Sequence, residues 1–92
     1  MARKILAIAD SSNPTIIEYM KSQLQSIEKQ FSGVTTELVD ENDSRLVKYI
    51  HSADRVKLPM LMAFKGDVYT ARCFGKRDTA EIIDWCKGLG IE

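Results

Sequence analysis

The sequence predicts an α/β domain built on a four-stranded mixed sheet, with elements in the order β-α-β-α-β-β-α. Short apolar runs alternate with segments of helical periodicity along most of the chain. Strand candidates 60–65 and 68–73 are separated only by Gly66 and Asp67, too short a link for a crossover, so they form an antiparallel hairpin. The strands before them are separated by a helical segment, as a parallel βαβ unit requires. Helices are therefore expected on both faces of the sheet, and residues 1–92 are expected to make a single domain.

Residues 4–9 are a short apolar run without strict alternation, which predicts a strand buried on both faces. Over 14–31, Ile16, Ile17, Met20, Leu24, Ile27 and Phe31 recur at helical steps. Asn13 suits the N-cap and Pro14 the first helical position, where its missing N–H costs nothing. Gly33 is placed to end that helix. Val34–Val39 reads as the second strand, closed by the acidic turn Asp40-Glu41-Asn42-Asp43-Ser44. Leu46, Val47 and Ile50 give a short helical pattern over 44–51, capped by Asp43 or Ser44. After the hairpin, Phe74-Gly75 ends the sheet. The last helix spans 78–88, with Ile82, Ile83, Trp85, Cys86 and Leu89 on its apolar side and Gly88 and Gly90 as its stop.

Composition excludes several classes. Thirteen Lys and Arg balance thirteen Asp and Glu, which is not the balance of a disordered tail or a strongly basic nucleic-acid binder. No apolar run reaches the length of a membrane span. The run after the basic N-terminus is too short for a signal peptide, so the expected location is cytoplasmic. Cys73 and Cys86 match no metal-ligand spacing and are expected as free thiols, Cys86 in the core and Cys73 partly exposed. No Gly-rich phosphate loop, paired-carboxylate site or metal cluster is present in the pattern, and no cofactor is expected.

The element order and the local sequence resemble the core of the thioredoxin family, without the extra N-terminal strand and helix of full-length thioredoxins. Lys57-Leu58-Pro59-Met60-Leu61-Met62-Ala63-Phe64-Lys65-Gly66 resembles the family segment that leads through a cis-proline into a strand and a glycine turn. The run to Gly75 and the final helix keep family spacing. Leu38-Val39-Asp40-Glu41-Asn42 resembles the strand end before the family's middle helix.

The resemblance implies that Ser12-Asn13-Pro14-Thr15 stands where thioredoxins carry their redox Cys-x-x-Cys. Pro14 is retained, while Ser12 and Thr15 take the cysteine positions. Asp10 and Ser11 replace the family aromatic that precedes the motif. Thiol–disulfide exchange needs a thiolate and a resolving thiol, and a hydroxyl supplies neither. The resemblance further implies that backbone around Leu58, Pro59 and Met60 can pair with an extended peptide.

The expected function is therefore a non-catalytic, redox-inactive protein-binding, assembly or regulatory module. Its surface would comprise residues 11–15, the Leu58–Met60 turn and the stretch Phe74, Gly75, Lys76 and Arg77, with another protein as partner. Its small size suits a phage-encoded or accessory protein. Two alternatives stand beside this reading. One is a divergent thioredoxin- or glutaredoxin-type oxidoreductase, or a glutathione-related binder, using Cys73. The other is a nucleic-acid accessory protein acting through residues 55–77, where six basic residues face only Asp67. A Ser12–His51 hydrolase has no triad to support it.

Overall fold

The computed structural model describes residues 3–10, 12–40, 42–44 and 59–91. Its elements are β1 (Arg3–Ala9), α1 (Pro14–Gln30), β2 (Val34–Asp40), β3 (Met60–Lys65), β4 (Val68–Phe74) and α2 (Thr79–Gly88). The expected middle helix over 44–51 lies outside the described residues, apart from Ser44.

The sheet order is β2-β1-β3-β4. β1 pairs parallel with β2, from Arg3 opposite Val34 to Ala9 opposite Asp40. On its other side it pairs antiparallel with β3, from Arg3 opposite Lys65 to Ile8 opposite Met60. β3 and β4 form the predicted hairpin, in which Gly66 takes the left-handed φ of 61°. Its register shifts between Ala63 and Phe64, which face Ala71 and Tyr69, leaving Thr70 as an extra residue. The Thr70 hydroxyl donates to the Ala63 carbonyl at 3.0 Å and fastens that bulge.

Alternation along the central strands divides the core in two. Ile5, Ala7, Ala9, Leu61, Ala63 and Cys73 face Met20, Leu24 and Ile27 of α1 and Ile82 and Cys86 of α2. The small side chains Ala7, Ala9 and Ala63 let the larger helix residues seat closely on this face. Leu6, Ile8, Met60, Met62 and Phe64 form a second buried cluster on the opposite face, joined by Val39. Both described helices thus share one face, yet β1 and β3 are buried on both faces, as their uninterrupted apolar runs predict.

One local detail differs from expectation. α1 ends at Phe31, whose backbone is extended (φ −126°, ψ 125°), rather than at a left-handed Gly33. Phe31 is 5% exposed, and its N–H still donates to the Ile27 carbonyl at 2.9 Å as the last bond of the helix. At the other end of the chain Gly90 does adopt φ +81° after α2. There the Arg3 guanidinium donates to the Leu89 carbonyl at 3.0 Å, tying β1 to the end of α2.

Candidate functional site

The register brings three predicted segments to one end of the sheet. Ile8 faces Met60, and Met60 faces Phe74. β1 therefore runs out toward Asp10–Thr15 at the end where β3 begins at Met60 and β4 leaves through Phe74 and Gly75. Pro59 is fixed there, because its carbonyl accepts the Gly75 N–H at 2.7 Å. Gly75 makes this closure with φ +80°, a conformation suited to glycine.

The turn into α1 is built from its own side chains. The Asp10 carboxylate accepts from the Ser12 N–H at 2.9 Å and from the Ser12 hydroxyl at 2.7 Å. Those two bonds favour the charged form and lower the Asp10 pKa. The Asn13 amide oxygen accepts from the Ile16 N–H at 3.2 Å as the N-cap, and Pro14 follows at the first helical position. Ser12, Asn13, Pro14 and Thr15 are all exposed.

Tyr19, one turn beyond Thr15, joins this segment to the stretch after β4. Its hydroxyl accepts from the Arg77 N–H at 2.7 Å and donates to the Arg77 carbonyl. The Lys76 ammonium lies 5.0 Å from the centroid of the Tyr19 ring. One turn further, the Thr79 hydroxyl meets the buried Gln23 amide oxygen at 3.2 Å. Arg77 also reaches Glu81 at 3.4 Å and the Phe74 carbonyl at 3.1 Å. Tyr19 and Gln23 lie outside the apolar stripe of α1, and their partners are 58 and 56 residues away. Only their spacing from Thr15, in steps of one helical turn, hints at a shared face.

The side chains of two expected site residues are buried. Met60 is 0% exposed, within the second core cluster, so its side chain belongs to no partner surface. Cys73 is 8% exposed rather than partly open, because its position in β4 points it at the helix-covered face. Leu58, Ser11 and His51 lie outside the described residues.

Among the described residues, the chemistry available at this end is that of hydroxyls, an amide, the Asp10 carboxylate and the Lys76 and Arg77 cations. Asp10, the acceptor nearest the Ser12 hydroxyl, is made a weaker base by the bonds it accepts. Both cysteines are free thiols. Burial raises the Cys73 pKa, and burial together with the neighbouring Cys73 pushes Cys86 up to about 11. Neither setting favours a thiolate nucleophile. The chain has no adjacent cysteine pair, and among the described residues no cluster of His, Cys, Asp and Glu could hold a metal ion. No helix among the described residues is long and apolar enough to cross a membrane.

This architecture is a thioredoxin-like fold, without the redox cysteine pair. Thioredoxin O2 from Arabidopsis thaliana in the oxidised state matches with a TM-score of 0.68 at 19% identity, over 96% of this chain and 75% of the other. Thioredoxin O1 from the same plant matches with a TM-score of 0.65 at 17% identity, over 95% and 77%. A malarial protein matches with a TM-score of 0.69 at 16% identity, over 96% and 97%. No protein-family model matches the chain, and no curated protein is similar to it in sequence.

Proposed function

We propose that this chain is a non-catalytic thioredoxin-fold protein that works in the cytoplasm as a protein-binding or assembly module. One observation carries the reading: the helix start after β1 holds Ser12 and Thr15 in place of a thiol pair, while both cysteines of the chain are buried in the core. The proposed surface joins Ser12, Asn13, Pro14 and Thr15 to backbone at Leu58–Pro59–Met60 and to Phe74, Gly75, Lys76 and Arg77. The Gly75–Pro59 and Tyr19–Arg77 bonds support treating these segments as one surface. In this reading Pro59 keeps the cis bond that the resemblance implies, and Met60 contributes main chain rather than side chain. A phage-encoded or other accessory role fits this reading.

The test is insulin-disulfide reduction with dithiothreitol as electron source. Wild type is compared with a Ser12→Cys, Thr15→Cys double variant, after circular dichroism shows both folded. The wild type is expected to give no turnover and the double variant measurable turnover. Turnover by the wild type would sink the non-catalytic reading and transfer attention to Cys73.

A further inference from the structure

Among the described residues, Lys76 and Arg77 are the only Lys or Arg outside a helix or strand. They stand side by side in the exposed connection between β4 and α2. An exposed, irregular segment is where proteases nick a folded chain, provided its main chain is free. A trypsin-like serine protease uses three groups of the residue before the scissile bond. The basic side chain enters an acidic pocket, the carbonyl turns into the oxyanion hole, and the N–H pairs with main chain of the enzyme. Arg77 has all three committed elsewhere. Its N–H donates to the Tyr19 hydroxyl at 2.7 Å, and its carbonyl accepts from that same hydroxyl. Its guanidinium is held by the Phe74 carbonyl at 3.1 Å and by Glu81 at 3.4 Å. Lys76 before it lies 5.0 Å from the centroid of the Tyr19 ring, and Asp78 after it caps α2 by accepting from the Glu81 N–H at 2.8 Å. One side chain of α1 thus occupies both main-chain groups of a residue 58 positions away.

We propose that Arg77–Asp78 is a processing site for a trypsin-like serine protease, and that the Tyr19 hydroxyl masks it. Hydrolysis there consumes one water and breaks the bond between the Arg77 carbonyl carbon and the Asp78 nitrogen. It leaves a carboxylate on Arg77 and an amine on Asp78. The cut detaches the Phe74–Arg77 segment from α2 and places a new cation at the positive end of that helix. It therefore dismantles this side of the candidate surface. The site is closed while Tyr19 holds Arg77, so the rate of cutting follows the population in which this connection has lifted away. The inference goes beyond the module reading and does not depend on it.

The probe is trypsin at a low ratio to the folded full chain, with each cut placed by mass spectrometry and its initial rate followed. Tyr19→Phe keeps the ring and removes only the hydroxyl. Cleavage after Arg77 should then rise at least about fivefold over wild type. Cleavage after Lys21 and Lys29, within α1, should stay at the wild-type rate. A rate after Arg77 that the variant leaves unchanged would overturn the mask. So would acceleration shared equally by the α1 sites, which reports opening of the whole chain, or new cuts that fall after Lys76 alone. Amide hydrogen exchange on the wild type answers the question independently of how the variant folds. The Arg77 N–H should exchange at least about tenfold more slowly than in an unstructured chain, and exchange at the unstructured rate would overturn the proposal. Insulin reduction by the wild type, scored separately, would remove the module reading alone.

Discussion

Asp10, Ser12 and Asn13 spend their polar groups on one another and on the first turn of α1. The Asn13 side chain satisfies the Ile16 N–H, so Asn13→Ala should lower stability by about 1 kcal/mol, read as a shift of the urea midpoint. Asp10 has a pKa lowered in the fold, chiefly by the Ser12 hydroxyl and then by the Ser12 N–H. A carboxylate with a depressed folded pKa contributes stability above its unfolded pKa and loses it as pH falls through the folded value. Asp10→Asn should therefore reduce stability near neutral pH and flatten the acid limb of a urea-midpoint titration below about pH 4. An unchanged limb would mean that the Asp10–Ser12 bonds do not persist in solution.

At the scale of elements, the connection from β4 to α2 holds the candidate surface together. Gly75 donates to Pro59 with φ +80°, and nothing lies within 4 Å of a Cβ built there. Gly75→Ala should accordingly cost about 1–2 kcal/mol through backbone conformation alone, visible as a lower thermal midpoint without loss of the folded spectrum. A neutral result would show that the chain relaxes the turn and that the Pro59–Gly75 bond is not a fixed closure. α1 contributes to the same region through Tyr19 and Gln23, one polar line parallel to its apolar stripe. That line packs on the chain leading into α2, so a helix that reads as a scaffold also positions the Lys76–Arg77 segment.

Across the whole molecule, the two thiols behave as core groups. Cys86 is 0% exposed, and its pKa rises from an ordinary 9.0 to about 11. A group whose folded pKa is raised contributes stability below its unfolded pKa and loses it as pH climbs toward the folded value. The protein should thus lose stability between about pH 9 and pH 11, more steeply than a Cys86→Ala variant measured over the same range. Cys86 should also resist an aromatic disulfide reagent until the chain unfolds. Rapid reaction in the native state would contradict its place in the core.

The sequence alone determined most of the secondary structure, because apolar spacing and turn residues are local signals. The hairpin through Gly66-Asp67 and the strand Met60–Lys65 follow directly from them, as do Asn13 and Pro14 at the head of α1. The identity of residues 12–15 likewise settled in advance that no cysteine pair occupies that motif, since that is a matter of composition. Tertiary structure decided what depends on distant partners. The face that Cys73 occupies follows from its register with Leu61, and the full burial of Met60 from the layer it shares with Ile8 and Met62. The pairing of Tyr19 with Arg77 spans 58 residues. Local spacing carries no term for such a contact, because bringing those residues together takes the closed sheet and both helices.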